Sequence, residues 1–469
     1  MTRFEWCLIA LFIGIIAFQC FVPPEAGLAN NGDYGKLIGR FSLVPDDGPS
    51  PEGQYYVQRW KYDPAGYWLS DNVSSEILPV RGALAISSVF GSRIFDLRIL
   101  GVLHAALWIA CFAAALPLFR LLPGWTRYAV SIFALFVFTD VSYVAHFNSF
   151  YTDTVAFIFL GWCIVISLRI ATGAWTGWFP FLGLLASALL VIFSKPQHSP
   201  LGLLLWPLAA GASVTLTGRS ARFAGLILAP LLPVAAIIGV QLVPEEERQD
   251  ALFNVIFAKT LEHSTDRAAD LRELGLSPDL LLLIGRFAQK DDSPMKDPAF
   301  RHAFSVALHH RLGLFLLHHP PIAAGLIYQD LHQPAAQRRP PPIGNYRGNT
   351  GFQPYAKARS FGWWSAFRSR LFRSAPWHIL IWYAAFAGAA VWGAWRYRGT
   401  IAGNVAAVGL VIAALGVLAV VIASFGEVGE TDRHLLVFHV LTDMTMALGA
   451  AGAAIWSFRP ARTLTTMCA

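Results

Sequence analysis

Charge is scarce in this sequence: Asp, Glu, Lys and Arg supply 14% of its 469 residues, against roughly 25% in soluble domains. Apolar residues supply 55% and the mean hydropathy is +0.50. A water-soluble globular domain is excluded. Cysteine is nearly missing as well. Of the five, Cys7, Cys20, Cys111 and Cys163 fall in apolar runs and Cys468 lies in the C-terminal tail. The polar segments between runs therefore carry no disulfide framework. There is no internal repeat on the solenoid or transporter scale, no His-Glu-x-x-His and no nucleic-acid-binding module.

What is present is a series of apolar runs. About 18 such residues cross a hydrocarbon core near 30 Å thick. Ten runs qualify, at 5–22, 94–118, 128–145, 154–170, 178–193, 199–217, 222–243, 377–395, 401–423 and 435–457. The fifth is short and the second carries Arg98, so these two tilt or start deeper. Backbone groups in lipid must be satisfied within their own segment, which leaves helices as the reading. The fold class expected is an all-α polytopic membrane protein with about ten spans.

Orientation follows from the arginines. With the N-terminus cytoplasmic, the inner segments hold Arg3, Arg120, Arg127, Arg169, Arg219, Arg222, Arg396, Arg398, Arg459 and Arg462, and the only acid near them is Glu5. That is the positive-inside pattern, and it puts both termini in the cytoplasm. The net charge of +7 reports this orientation; no nucleic-acid partner is implied. Ala26-Gly27-Leu28-Ala29 faintly imitates a cleavage site, but the long apolar core and thin basic flank read as an uncleaved anchor.

Three parts are expected: a seven-span module over 1–243 with a first outer loop at 23–94, an outer segment over 244–376, and a three-span module over 377–469. The first outer loop has aromatic patches (Tyr55-Tyr56-Val57, Tyr67-Trp68-Leu69) and turn signals at Asp46-Asp47-Gly48-Pro49 and Asp63-Pro64. In the outer segment, Phe300 to Leu317 and the stretch after Pro320-Pro321 read as interfacial helices bearing His302, His309, His310, His318 and His319. Arg338 to Pro342 is a basic loop. Trp363, Trp364, Arg368, Arg370 and Arg373 return to the interface.

Four polar clusters lie at the outer mouths of these runs: Asn30 to Tyr34, His146 to Asp153, Ser194 to His198, and Glu427 to His434. Their convergence suggests an active site on the outer face. Asp33 suits a general base on an acceptor hydroxyl, and Asn-Gly-Asp equally suits an Asx turn. Asp153 suits the same carboxylate chemistry and equally a helix N-cap, alone or through Thr152. Lys195, Gln197 and His198 suit a lipid-linked phosphate; a lysine there also snorkels. Arg433 and His434 follow Glu427, Glu430 and Asp432, which fits a phosphate site or a capping cluster. Asp443 and His439 share a helix face at a depth where ionisable groups default to function. The histidine pairs lack the i, i+4 spacing of metal ligands.

Asn-Gly-Asp after the first run, Phe147-Asn148-Ser149-Phe150-Tyr151 plus an acid, and Asp432-Arg433-His434 before the last run resemble integral-membrane glycosyltransferases of the GT-C class. The closest pattern is the bacterial glycan biosynthesis hexose transferase family. Asp270-Leu271-Arg272-Glu273-Leu274-Gly275-Leu276 is similar to a segment of that family's long outer loop. The resemblance implies a bacterial inner-membrane enzyme that moves a hexose from a polyprenyl-phosphate donor to an extracytoplasmic glycan or lipid acceptor. Asp33 and Asp153 would be catalytic, with Thr152-Asp153 standing where the family carries Ser-Glu. Lys195, His198, Arg433 and His434 would hold the donor phosphate, and Asn31, Asn148, Tyr151, Gln197 and Asp432 would contact substrate. A divalent ion held by Asp33 and Asp153 is left open, since hard cations bind oxygen. The rival readings are a secondary transporter or lipid-linked sugar flippase, and a non-catalytic assembly subunit.

The topology is testable directly. Single cysteines placed beside Asp33, Asp153 and Asp432 are expected to react with a membrane-impermeant thiol reagent from outside the cell. Labelling of any one of them solely from the cytoplasmic side overturns the shared-face reading.

Overall fold

The structure is a computed structural model that describes residues 1–46, 53–63, 73–91, 93–305, 308–332, 335, 339, 343–426 and 431–457. The Gly48-Pro49 turn, Tyr67-Trp68-Leu69, Glu427, Glu430, Arg459 and Arg462 lie outside those residues. Helices dominate, and among the described residues seven are long and apolar enough to cross a membrane. Helix α1 (Arg3–Phe21) opens on a capping box between Thr2 and Glu5. Glu5, the lone acid among the inner arginines, also takes Arg120 at 2.5 Å.

The connection after α1 holds a three-stranded antiparallel sheet of β1 (Leu43–Pro45), β2 (Arg59–Tyr62) and β3 (Ile94–Asp96), with β2 in the middle. Leu43 faces Tyr62 and Trp60 faces Phe95 across it. Between β2 and β3 runs α2 (Ile77–Val89), a short apolar helix within the first outer loop expected at 23–94. Next come α3 (Arg98–Ala115), α4 (Thr126–Phe138), α5 (Asp153–Ala171), α6 (Trp178–Ile192), α7 (Gly202–Ser213), α8 (Arg219–Leu228) and α9 (Leu231–Gln241). Helices α8 and α9 make one span broken near Pro230, where the ring removes a backbone donor.

Helix α4 stops at Phe138, short of the expected 145, because Asp140 ends it. That carboxylate accepts Ser142 N at 2.9 Å, opening a separate turn, and Ser365 N at 2.8 Å. The outer segment contains α10 (Glu245–Val255), α11 (Arg267–Glu273), α12 (Pro298–Ser305), α13 (Leu308–His318) and α14 (Pro320–His332). From α12 and α13, Phe304, Leu308, Leu312 and Phe315 join Phe253, Phe257 and Leu271 in a separate protein core, while Leu314 and Leu317 stay exposed.

Helix α15 (Trp363–Ser374) keeps Trp363 and Phe367 exposed but buries Arg368 completely. The chain then forms α16 (Trp377–Arg396), α17 (Ile401–Gly426) and α18 (Leu436–Ser457). Arg368 meets Asp443 of α18, and Tyr143 donates to the same carboxylate. This pairing explains an ionisable group at that depth without assigning it chemistry. His439, on the same face, packs edge-on against Phe372 at 6.2 Å.

Within the membrane bundle α5 is central, with 78% of its span window buried. Lipid supplies no hydrophobic drive between helices, so close ring packing does the joining. Phe12 stacks on Phe112 at 4.0 Å, and Trp108 meets Phe157 edge-on at 5.4 Å. Over one end of the bundle sits an aromatic cap in which Tyr34, Trp60, Phe150 and Tyr151 pack with Ile343. Residues 343–358 are stitched to the exit of α1 by Gly27 N to Asn345 O at 3.0 Å and Ala29 N to Gly344 O at 2.9 Å.

Candidate functional site

The cap fixes the loop that carries Asp33. Asn30 Oδ1 accepts Gly32 N at 2.8 Å and Tyr34 N at 3.1 Å, and Asn31 Oδ1 accepts Asp33 N at 3.3 Å. The Asx turn expected here is made by the asparagines, so the Asp33 side chain is not spent on it. Its carboxylate, 28% exposed, contacts Arg433, with Lys36 at 3.9 Å. The Arg433 guanidinium lies 5.5 Å from the centre of the Tyr151 ring. Tyr151 in turn donates to Asn31 Oδ1 at 2.9 Å, so one contact set joins the first polar loop, the entrance of α5 and the approach to α18.

Asp153 is the first residue of α5 and is buried. It does not cap that helix, nor does Thr152. Glu76 supplies the cap from outside the helix, accepting Val155 N at 3.1 Å. The Asp153 carboxylate is thereby left to face Lys195 at 3.6 Å and His198 at 3.5 Å.

His198 Nδ1 lies 2.9 Å from Ser194 Oγ, whose proton goes to the Val191 carbonyl at 2.6 Å. Nδ1 is then the donor, and in the neutral ring Nε2 is a lone pair beside Asp153. That accounts for a 3.5 Å approach with no hydrogen bond closed. Burial pushes the His198 pKa down to about 4, against the pull of Asp153, so the ring is neutral at pH 7.

Lys195 Nζ lies 3.2 Å from His434 Nδ1, and Gln197 Nε2 donates to the His434 carbonyl at 3.1 Å. Asp432, Arg433 and His434 sit on one buried turn, Thr431–His434. Asp33, Asp153, Lys195, Gln197, His198, Arg433 and His434 are therefore linked by direct contacts, and Asn31 and Tyr151 belong to the same set. Asn148 has another use. Its amide donates to Cys20 O at 2.9 Å and Ala26 O at 3.0 Å, tying its loop to the exit of α1. Gly101 makes room for it, since a Cβ there would come within 2.0 Å of Asn148 Oδ1.

Three further groups gain site contacts that the sequence alone does not assign. Lys357 enters from the 343–358 stretch. Burial, helped by nearby Arg339, lowers its pKa from 10.5 to about 8, and Asp432 pulls it back up. Glu76 and His104 form a wholly buried pair at 2.8 Å. His104 Nδ1 must donate to the Phe147 carbonyl at 3.0 Å, so a proton is shared between Nε2 and Glu76. Burial raises the Glu76 pKa. No run of residue types announced any of the three; each is recruited by distant chain.

Among the described residues, those around Asp33 and Asp153 do not fit a divalent ion. Each carboxylate already faces basic side chains, and among the described residues no three His, Cys or carboxylate ligand atoms gather around either. A small cleft of about 10 Å³, lined by Val73, Ile192, Phe193, Ser199, Gly239 and Leu242, borders Lys195. The arrangement can therefore hold an anion next to two carboxylates.

A family model described as the YfdI N-terminal transmembrane domain matches residues 3–463. No curated protein matches. Two solved structures of the Archaeoglobus fulgidus oligosaccharyltransferase are similar. One is AglB in complex with an inhibitory peptide and a dolichol-phosphate, at 13% identity and TM-score 0.38, covering 98% of this chain and 52% of that one. The other is tethered to an acceptor peptide containing the NVT sequon, at 12% identity and TM-score 0.37, covering 96% and 49%. The chain spans about half the length of each.

Glu76→Ala strands both the Val155 amide and His104 Nε2. It is expected to cost about 1–3 kcal/mol of stability, the range for an orphaned buried donor. Glu76→Gln keeps an acceptor for the amide and is expected to lose less. Thermal unfolding in detergent ranks the two variants, and equal losses would contradict the capping role.

Proposed function

The chain belongs to the YfdI N-terminal transmembrane domain family, and from that premise we propose a GT-C type glycosyltransferase. It moves a hexose from a polyprenyl-phosphate donor to an extracytoplasmic glycan or lipid acceptor. The reading includes a bacterial inner-membrane location with both termini cytoplasmic. The observation that carries it is the pairing of Asp33 with Arg433 beside the Asp153–Lys195 pair. Two carboxylates and two cations meet there. An acceptor hydroxyl needs a base, and a departing phosphate needs fixed positive charge.

In this mechanism the phosphate contacts Lys195 and Arg433, with Lys357 close behind. As the phosphate engages Arg433, Asp33 is released to accept the acceptor's proton. The acceptor oxygen forms its bond to the anomeric carbon while the bond from that carbon to the phosphate oxygen breaks. The electron pair leaves with the phosphate, where the cations stabilise it. One direct displacement inverts the anomeric centre. Asp153 holds Lys195 in place throughout, and neutral His198 keeps a proton-accepting nitrogen beside it.

Reconstituted protein supplied with a radiolabelled polyprenyl-phosphate hexose tests the reading. Label is expected in a new glycan or lipid product; donor that only changes leaflet, or no change at all, rejects a transferase. Asp33→Asn is expected to lower turnover by a factor on the order of 100–10,000, the usual share of a general base. A variant with near-normal turnover would remove Asp33 from the chemistry.

The ammonium of Lys357 loses its charge as pH rises through about 8, so donor affinity is expected to weaken over that window. Lys357→Arg stays charged and is expected to flatten the profile. A wild-type profile already flat between pH 7 and about 9 would take Lys357 out of the donor site.

A further inference from the structure

The outer segment contains a second cluster of ligand-type side chains, independent of the site above. Helix α11 carries Asp270 and Glu273 three residues apart, on one face. Its other face sends Leu271 and Leu274 into the outer core. The helix ends in a Schellman motif: Leu276 N reaches Leu271 O at 2.8 Å and Gly275 N reaches Arg272 O at 2.9 Å. Gly275 has φ +77°, and the Arg311 guanidinium fills the space a side chain would take. Asp-Leu-Arg-Glu-Leu-Gly-Leu thus reads as a helix end whose glycine and leucines have structural duties. Its two acids lie outside that motif.

Those acids meet the corner between α13 and α14. His319 Nε2 lies 2.8 Å from Glu273 Oε2, and His318 Nδ1 lies 3.4 Å from Glu273 Oε1. The His319 ring is stacked on Phe315 at 4.2 Å, which fixes its plane. One ligand atom from each of Asp270, Glu273 and His319 lies within 4.8 Å of the others. Asp270 is only 7% exposed, and its carboxylate makes no hydrogen bond or ion pair among the described residues. Asp270, Glu273 and His319 thus turn three donor atoms of ordinary metal-ligand type toward one another.

We infer that Asp270, Glu273 and His319 form a binding site for a divalent transition-metal ion, with Zn²⁺ the best match. Two carboxylates and an imidazole are ordinary zinc ligands at about 2.0–2.2 Å, which sets neighbouring donors about 3.3 Å apart around a tetrahedron. Small rotations of the half-exposed Glu273 and His319 side chains bring the present spacing to that value. His318 or water completes the shell. The ion clips α11 to the α13–α14 corner, and its task is to hold the outer segment's shape.

The full chain, purified in detergent and stripped with a chelator, is titrated with Zn²⁺ by calorimetry, and bound metal is counted by elemental analysis. About one zinc per chain is expected, with a rise in the unfolding midpoint on loading, since binding favours the folded state. Asp270→Asn and His319→Gln are each expected to weaken binding at least about tenfold and to lose the midpoint rise, with helix content unchanged by circular dichroism. His302→Gln, remote from the cluster, is expected to bind as wild type. Failure of the wild type to hold zinc, or zinc binding that both cluster variants retain in full, overturns the assignment.

Discussion

The contact between Arg433 and Asp33 is the constraint on which the rest of the site depends. A buried guanidinium is tolerated only against a partner, because an unpaired charge at that position costs several kcal/mol. The pair therefore pins the turn before α18 to the loop after α1, two segments separated by nearly the whole chain. Once that seam is closed, Lys195 and Gln197 meet His434, and Asp153 has Lys195 and His198 within reach. The remaining ionisable groups fall into place around it.

Such a seam holds its geometry only on a stiff frame. The aromatic cap supplies part of that stiffness, with Tyr34 edge-on to both Phe150 and Tyr151 at 5.4 and 5.0 Å. Asn148 supplies another part by bonding two carbonyls at the exit of α1. Glu76 supplies a third. It caps α5 through Val155 and holds His104, which holds the Phe147 carbonyl. The loop from 146 to 152 is thus gripped at both ends, and Asp153 projects from a helix start that cannot drift.

The membrane helices were legible because apolar length is a one-dimensional signal that needs no partner. The break at Asp140 was not, since it is stabilised by Ser365, over two hundred residues away. Asp33, Asp153, Lys195 and Arg433 could be picked out because each stands at the mouth of an apolar run, where polar residues are conspicuous. Glu76, His104 and Lys357 stand in ordinary contexts and gain their roles only through tertiary contact. His319 likewise gains its neighbours from a distant segment, since Asp270 and Glu273 arrive from α11. The apolar faces of α12 and α13 read equally well as lipid-facing or core-facing; periodicity does not say which solvent is on the other side.

The resting charge balance also argues for the order of events in the proposed reaction. Asp33 and Asp153 are each matched to cations before any substrate is present, so an added neutral sugar would gain little by displacing them. An anionic phosphate differs, because it competes with the carboxylates for the same cations. Its arrival at Arg433 converts a carboxylate engaged in an ion pair into one able to take a proton. The base is thereby switched on by the donor's own charge, and an acceptor hydroxyl arriving first finds no base to attack with. Donor before acceptor is then a consequence of pairing in a low-dielectric site; it needs no moving lid.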